Sequence, residues 1–328
     1  MNFATIGTSG ITEKFIKAAR ESERLTLKAV YSRNLDKCTR FANQYGVKLV
    51  FNDLEELAQC NEIDTVYIAS PNSLHYEQTI LMLEHGKHVI CEKPIFSNLA
   101  EFRRAYEIAE KHGVFLIEAM RTIHTPNFQL LMNNMKRVGK VRNVSLQFMK
   151  YSSRYDQYLE GDIPNIFSPE YSGGALVDLG VYPLYIAVTL FGKPRSFGYY
   201  PVMLDNGVDG GGTLVLQYGE FVCTIMCSKI TNSYGNNEIH GEDGNIVFTG
   251  TGQIQKLEFI DRSTKICEPF SIQHAKNDLI YEIEKFVQIM ESENREEYQK
   301  LVKLSETVLE ITEQSRKQNR IIYGKEAQ

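Results

Sequence analysis

"DTVYIASPNSLHYEQTILMLEHGKHVICEKP", residues 64 to 94, is the stretch that decides the fold. Two apolar runs of strand length, 64–70 and 87–92, flank a segment with helical periodicity, 73–86. A helix between two such strands predicts a right-handed crossover and a parallel sheet covered on both faces. The tripeptide Glu92-Lys93-Pro94 follows the second strand directly. It is either a solvated loop in which Pro94 stops the strand, or part of a site at the sheet edge.

The same alternation runs through the first 120 residues. Further apolar runs of strand length occur at 3–7, 27–32, 48–51 and 113–119. Another helical segment covers 99–113. In sheets of this kind, ligands bind beyond the carboxyl ends of the strands. The residues that this rule places near a ligand are Gly7, Ser32, Ser70, Glu92 and Ala119.

The pattern changes after about residue 122. Helices are predicted at 126–137, 176–191, 276–292 and 296–317. Closely spaced strands are predicted at 196–204, 212–219, 221–228, 237–241, 244–250 and 254–261. The chain is therefore predicted to be α/β, with a Rossmann-like doubly wound parallel sheet in 1–121. An α+β domain with a largely antiparallel open sheet is predicted in 122–328.

Composition excludes several classes of protein. The 328 residues are 43% hydrophobic and 23% charged, which is typical of a globular domain, and the net charge of -5 argues against nucleic-acid or anionic-membrane partners. The chain opens with "NFATIG" rather than an export signal, and no stretch was expected to approach the roughly 18–20 apolar residues of a membrane span. The six scattered cysteines form no CxxC pair, so reduced, mostly buried thiols in a cytoplasmic protein without a metal site are predicted.

A candidate phosphate site follows the first strand, in "GTSGIT" (7–12). The backbone amides of a helix that begins at about Ile11 attract a pyrophosphate. Only the first glycine of the G-x-G-x-x-G pattern is in place, but the strand–helix–strand context that the motif requires is present. Dinucleotide phosphates are therefore predicted at Gly7, Thr8, Ser9, Gly10 and Ile11. A plain strand–helix turn is the alternative.

The end of the second strand bears on cofactor choice. NAD sites usually have an acidic residue there, which binds the ribose 2′-hydroxyl. This chain has Ser32 and Arg33 instead, and Lys37 follows in the next helix. A hydroxyl, a guanidinium and an ammonium suit a 2′-phosphate, which predicts that NADP(H) is preferred and NAD(H) is possible. The alternative is a solvated helix N-terminus with ordinary surface charges.

A second candidate site lies in "SGGALVDLGVYPLYIAVTLFG" (172–192). Asp178 and Tyr182 are four residues apart and share one face of the predicted helix. Taken alone they can be a capping carboxylate and a half-buried tyrosine. Together with a lysine at a sheet terminus, they form a set suited to moving a proton to or from an alcohol oxygen.

These residues carry a family resemblance. "EKP" at 92–94, with the strand and helix before it, and "GGALVDLGVYPLY" (173–185) resemble the Gfo/Idh/MocA oxidoreductases, related to glucose-fructose oxidoreductase and inositol dehydrogenase. The resemblance covers nearly the whole chain. "EAM" (118–120) and "IFSPEYSGGALVDLGVYPL" (166–184) look most like the dihydrodiol dehydrogenase subgroup.

The resemblance implies roles for individual residues. Lys93 is expected to polarise the substrate oxygen, Tyr182 to donate or accept the proton, and Asp178 to position the substrate or Lys93. The bond before Pro94 is often cis in this family. The residues expected to contact or flank the cofactor are Ser70, Pro71, Asn72, His75, Glu92 and Lys93.

The chain departs from the family after "EAM", where the usual Trp and Arg are Arg121 and Ile123. The substrate side is therefore less well defined. Candidate substrate residues are Arg121, His124, Arg154 and Tyr158. His124 can equally be a structural histidine, and the tyrosine-rich loop at 151–167 can equally be a packed loop with polar tips.

Together these features predict an NAD(P)-dependent dehydrogenase or reductase that interconverts a secondary alcohol and a carbonyl in a sugar, polyol or dihydrodiol. The alternatives on the same fold are an NAD-dependent glycosidase and a non-catalytic sugar or cofactor sensor. "TLVLQYGEFVCTIMCSKI" (213–230) has apolar residues on both strand faces. With the resemblance, this predicts a homodimer or homotetramer formed through the C-terminal sheet.

Overall fold

The structure is a computed structural model that describes residues 1–326. It divides into two compact units. The first unit comprises Met1–Met120 and Ala275–Glu306, and the second comprises Arg121–His274 and the chain from Thr307 onward. The predicted division at residue 122 assigned 275–306 to the second domain.

The first unit contains a parallel six-stranded sheet in the order β3-β2-β1-β4-β5-β6. Its strands are β1 (Asn2–Ile6), β2 (Thr26–Tyr31), β3 (Leu49–Phe51), β4 (Thr65–Ile68), β5 (His88–Glu92) and β6 (Leu116–Ala119). Its helices are α1 (Gly10–Ser22), α2 (Leu35–Gln44), α3 (Leu54–Ala58), α4 (His75–Glu84), α5 (Leu99–Lys111) and α9 (Leu279–Ser292). The strand order reverses between β1 and β4, which is where an open sheet of this type binds a dinucleotide. The predicted parallel fold is confirmed.

Helix α9 joins the first unit through its apolar face. Leu279, Ile283 and Phe286 are fully buried in the core cluster that also contains Phe15 of α1. Their spacing is that of one helical face, so burial against the sheet core stabilises α9 in this unit.

The second unit contains an eight-stranded sheet in the order β14-β13-β12-β11-β7-β10-β9-β8. Its strands are β7 (Val141–Met149), β8 (Ser196–Met203), β9 (Asp209–Gln217), β10 (Val222–Ser228), β11 (Asn237–Gly241), β12 (Gly244–Phe248), β13 (Leu257–Asp261) and β14 (Cys267–Pro269). Its helices are α6 (Pro126–Asn134), α7 (Tyr155–Leu159) and α8 (Val181–Phe191), and α10 (Arg295–Gln318) contributes to both units. The largely antiparallel sheet is confirmed.

The sequence analysis missed two strands of this sheet. One is β7, which pairs in parallel with β10 and antiparallel with β11 near the middle of the sheet. The other is the short edge strand β14. The predicted helix at 176–191 is also divided, because Leu176–Gly180 forms a π-helical turn before α8 begins.

The expectation about apolar length was wrong for one stretch. Pro169–Phe191 is long and apolar enough to cross a membrane by length and composition alone, with a hydropathy of 1.6. Because 67% of that window is buried within the protein, the stretch has the character of a core helix. Of the six cysteines, which are all free, Cys38, Cys91, Cys223 and Cys227 are buried.

Candidate active site

The first part of the site is the turn between β1 and α1. Gly7 has a φ of 118°, and a Cβ built on it would lie 2.6 Å from the carbonyl oxygen of Ala69. Only glycine is compatible with this close approach. Ser9 is the N-cap residue of α1 but makes no side-chain capping bond. Among the described residues, apart from the chain neighbours of Gly10 and the backbone of its own helix, no atom lies within 4 Å of a Cβ built on Gly10. The open amide end of α1 therefore fits the pyrophosphate of a dinucleotide.

The second part lies at the end of β2, where the predicted 2′-phosphate residues cluster. Asn34 caps α2 by accepting a hydrogen bond from the Lys37 amide at 2.8 Å. The side chains of Arg33 and Lys37 are exposed, and within residues 1–326 neither forms an ion pair. Two cations without a carboxylate partner beside the half-buried Ser32 suit a phosphate dianion.

His75 links the loops that follow β4 and β5. Its Nε2 lies 3.0 Å from the Ser70 carbonyl oxygen, and its Nδ1 lies 3.0 Å from the Pro94 carbonyl oxygen. The residue is 1% exposed, and burial lowers the pKa of His75 although the two carbonyl contacts oppose that change. His75 therefore connects the loop after β4 to the loop after β5. Pro71 and Asn72 lie in the first of these loops, at the start of a short 3₁₀ turn.

The Glu92-Lys93-Pro94 segment is held by buried side chains. The Tyr67 hydroxyl donates to Glu92 Oε1 at 2.6 Å, and the Ile95 amide donates to Glu118 Oε1 at 3.1 Å. The Lys93–Pro94 bond is cis, and Lys93 is half-buried. Burial, followed by the Glu92 carboxylate, raises the pKa of Tyr67 well above its usual value. The supporting roles of Tyr67 and Glu118 were missed, although Glu118 begins the "EAM" motif.

In the second unit, Asp178 forms an ion pair that the sequence analysis did not predict. Lys229 Nζ donates to Asp178 Oδ2 at 2.6 Å and to the Ile166 carbonyl oxygen at 3.0 Å, and it lies 4.8 Å from the centre of the Phe167 ring. The lysine side chain is 2% exposed, whereas the Asp178 side chain is 30% exposed. The available signal was a cation directly after the apolar strand at 221–228.

Tyr182 is half-buried in the first turn of α8. Its ring makes an edge contact with Phe148 at a centroid distance of 5.4 Å. The guanidinium carbon of Arg121 lies 5.9 Å from the centre of the same ring. The structure thus brings the predicted substrate residue Arg121 to the predicted catalytic tyrosine. His124 is half-buried in the short 3₁₀ turn that begins with Arg121.

The π-helical turn that holds Asp178 is capped by a buried carboxylate. Asp209 Oδ2 accepts hydrogen bonds from the Leu176 amide at 2.7 Å and from the Tyr199 hydroxyl at 2.6 Å. Burial raises the pKa of Asp209, while these two bonds and the charge of Lys229 oppose that rise. Asp209 was not predicted. It binds the Leu176 amide at the start of the helical segment that contains Asp178 and Tyr182.

The two candidate substrate residues of the tyrosine-rich loop, Arg154 and Tyr158, differ in their surroundings. Tyr158 packs on Phe167 with a centroid distance of 5.6 Å and stacks on Tyr155 at 5.8 Å. Through Phe167 this aromatic group adjoins Lys229 and Asp178. Arg154 is exposed at the start of α7, and within the described chain its side chain makes no ion pair. The structure thus brings Tyr158, but not Arg154, to this cluster.

Comparisons with known proteins identify the family of the chain. Residues 1–120 match the family model described as "Oxidoreductase family, NAD-binding Rossmann fold", and residues 133–247 match the GFO/IDH/MocA C-terminal domain. The chain is 41% identical over 323 residues to scyllo-inositol 2-dehydrogenase (NADP(+)) IolU of Bacillus subtilis, covering 98% of each protein. The chain belongs to the Gfo/Idh/MocA family. The resemblance drawn from "EKP" and "GGALVDLGVYPLY" is thereby confirmed.

Other Gfo/Idh/MocA relatives extend the comparison. The trans-1,2-dihydrobenzene-1,2-diol dehydrogenase of Xenopus tropicalis is 27% identical over 212 residues, which cover 63% of this chain and 62% of that protein. A 3-ketoreductase from Actinomadura kijaniata, solved with NADP and TDP-benzene, superposes with a TM-score of 0.82. It is 23% identical, over 94% of this chain and 95% of that chain, and supports the fold. Family membership makes this protein an NAD(P)-dependent oxidoreductase.

Each unit of this Gfo/Idh/MocA protein carries its own set of candidate site residues. The first unit supplies the phosphate turn, the two cations after β2 and the braced Lys93 segment. The second unit supplies Asp178 with its buried cation, Tyr182 with Arg121, and an aromatic group. Lysine, tyrosine and aspartate side chains are among the groups that act as general acids and bases.

Proposed function

We propose that this protein is an NADP-preferring oxidoreductase that interconverts a secondary alcohol and a carbonyl in a sugar, polyol or dihydrodiol. The observation that carries this proposal is the near full-length similarity to an NADP-dependent inositol dehydrogenase. The presence of Lys93, Asp178 and Tyr182 supports the proposal. So do Arg33 and Lys37, whose side chains form no ion pair within the described residues. When bound, the nicotinamide supplies or accepts the hydride.

We assign the proton chemistry to three side chains. Lys93 Nζ binds and polarises the substrate oxygen, and the Tyr182 hydroxyl donates a proton to it during reduction or accepts one during oxidation. Asp178 binds a neighbouring substrate hydroxyl and so fixes the orientation of the substrate. Gly7, Ser9 and Gly10 leave room for the diphosphate at the α1 terminus.

The test is a screen of polyols, aldoses and diols with NADP⁺ and NAD⁺, in which turnover is measured from the absorbance of the reduced cofactor. Turnover of at least one class with NADP⁺ is expected. Glycoside cleavage without net reduction would instead identify a glycosidase. Tight ligand binding without turnover of any compound would identify a sensor.

Variants test the assigned roles. Tyr182→Phe removes one oxygen and little volume, so NADPH affinity is expected to be unchanged while kcat falls by about 10²- to 10⁴-fold. Lys93→Met is expected to do at least as much damage, and the double variant to be little worse than the worse single variant. Full turnover by Tyr182→Phe would move the proton transfer to another group.

We also propose that copies of the chain associate through the eight-stranded sheet. Val222, Met226 and Val215 lie on one face of β10 and β9, where they are half-buried. The opposite face holds fully buried residues such as Ile225 and Leu214, so the half-buried face, where Thr224 lies between Val222 and Met226, is the one available to a second copy of the chain. Sedimentation at micromolar concentration is expected to show a dimer or tetramer, and Met226→Lys to shift it toward monomer. A wild-type monomer under these conditions would contradict the proposal.

A further inference from the structure

We infer that Lys229 is a positioning residue of the active site, acting through Asp178. Its buried ammonium holds the Asp178 carboxylate ionised and in one orientation, so that Asp178 accepts a hydrogen bond from a substrate hydroxyl. This inference rests on the proposed function of Asp178 as the group that binds substrate.

The ammonium of Lys229 is fixed in place by several partners. Besides Asp178 Oδ2, it contacts the Ile166 carbonyl oxygen at 3.0 Å and lies over the Phe167 ring. The backbone is held as well, because the Lys229 amide donates to the Gly210 carbonyl oxygen at 2.8 Å. Its own carbonyl oxygen accepts from the Ser152 amide at 2.8 Å. Because both the backbone and the ammonium of Lys229 are held, the ammonium has a fixed position. This position determines where the Asp178 carboxylate lies.

The exposure of the two partners is unequal, and this indicates which end meets a ligand. Lys229 is 2% exposed and Asp178 is 30% exposed. A buried ammonium beside a carboxylate favours the deprotonated form of that carboxylate. Asp178 is therefore the exposed hydrogen-bond acceptor of the pair. Lys229 is its buried cationic partner, which a ligand does not contact.

The local backbone makes this pairing possible. A Cβ built on Gly180 would lie 3.1 Å from Cys227 Sγ, so glycine allows the π-helical turn to lie close against β10. Asp178 precedes Gly180 by two residues, and Lys229 follows Cys227 by two residues. Burial raises the pKa of Asp209 and the charge of Lys229 opposes that rise, while Asp209 Oδ2 accepts hydrogen bonds from Leu176 and Tyr199. Lys229 binds Asp178 directly, with its Nζ 2.6 Å from Oδ2.

A purely structural role is the alternative, in which the pair only ties the 165–167 segment to the end of β10. The two roles differ in their readouts. A structural clamp affects the amount of folded protein and its stability. A positioning residue changes the ionisation of Asp178 in the folded protein, and its kinetic effect disappears when Asp178 is neutral.

The first experiment uses carboxyl-carbon NMR of the cofactor-free protein, with the Asp178 signal assigned from Asp178→Asn. In the wild type, Asp178 is expected to stay ionised to the lowest pH at which the protein is folded. In Lys229→Met, the titration midpoint should rise by about 1 to 3 pH units. Lys229→Gln, which keeps a donor but no charge, serves if Lys229→Met does not fold. An unmoved midpoint overturns the inference.

The second experiment measures kcat/KM for Lys229→Met, Asp178→Asn and the double variant. Lys229→Met should lower kcat/KM at least tenfold in the wild-type background. It should change kcat/KM less than about twofold in the Asp178→Asn background, because groups that act as a unit are not additive. Equal factors in both backgrounds overturn the inference.

Lys87→Met is the matched control. Lys87 is also a buried lysine, and its Nζ donates to the Cys60 and Ile63 carbonyl oxygens in the first unit. Its loss should lower stability without moving the Asp178 titration, and a comparable movement would overturn the inference. If the wild type turns over none of the screened compounds, the proposed function fails, whereas the NMR titration still decides whether Lys229 controls Asp178.

Discussion

Replacement of Asp209 by alanine should loosen the helical segment that contains Asp178 and Tyr182, the proposed catalytic residues of the second unit. The Asp209 carboxylate is 1% exposed, and one oxygen, Oδ2, accepts from both the Leu176 amide and the Tyr199 hydroxyl. Asp209→Ala removes this acceptor from the buried Leu176 amide, whereas the Tyr199 hydroxyl keeps the Gly211 carbonyl oxygen as a partner at 3.3 Å. Asp209→Asn is the matched variant, because an amide oxygen at the same place can accept both bonds.

The magnitude follows from the two donors. A buried donor that loses its partner costs about 1 to 3 kcal/mol, so two donors cost about 2 to 6 kcal/mol. The Gly211 carbonyl oxygen, 3.3 Å from the Tyr199 hydroxyl, keeps the cost in the lower part of this range. Removal of a buried carboxylate offsets part of this cost, since burial has already raised the pKa of Asp209. We therefore expect Asp209→Ala to lower the free energy of unfolding by about 2 to 4 kcal/mol and Asp209→Asn by at most about 1 kcal/mol.

The pH dependence has a definite sign. A carboxyl whose pKa is raised in the folded state binds protons more readily there than in the unfolded chain. Its contribution to stability is present below the ordinary pKa of 3.8 and is lost as pH rises through the higher folded value. The stability of the wild type relative to Asp209→Asn should therefore decline as pH rises through this window.

Circular dichroism can follow unfolding in denaturant, since the chain has no tryptophan. Hydrogen exchange of the segment 172–191 gives a local readout, in which the Leu176 amide should exchange faster in Asp209→Ala. Tyr199→Phe loses one donor and should cost less than Asp209→Ala. The reasoning fails if Asp209→Ala costs no more than Tyr199→Phe, or if exchange at 172–191 does not change.

Two further predictions concern the cofactor. Arg33→Ala should weaken NADPH binding about tenfold or more and leave NADH nearly unchanged, because a charge-assisted contact to phosphate contributes about 1.5 to 3 kcal/mol; equal affinity of the wild type for both cofactors would contradict it. Gly7→Ala should instead weaken both cofactors alike, because its Cβ would lie 2.6 Å from the Ala69 carbonyl oxygen at a φ of 118°; titration of NADPH and NADH fluorescence checks both variants, and normal NADH binding by Gly7→Ala would refute the second.

Local sequence patterns determined most of the first unit. Strand runs such as 64–70 and 87–92, with a helix between them, indicated a parallel sheet. A helix-containing connection of this length is the usual crossover between parallel strands. The position of Gly7 at a strand end, and of Asp178 four residues before Tyr182, was also visible in the chain. These features depend on neighbours within a few residues, so the sequence contains the information directly.

Tertiary structure decided the remainder of the site. Lys229 lies 51 residues from Asp178 in the chain, and Asp209 lies 33 residues from the Leu176 amide that it caps. Strand β7 pairs in parallel with β10 across a longer separation, with Val222 opposite Asn143, and α9 returns to the first unit after more than 150 residues in the second. Such pairings depend on which surfaces meet when the chain folds. No local periodicity encodes them, because the free energy that selects them comes from burial and charge neutralisation between distant segments.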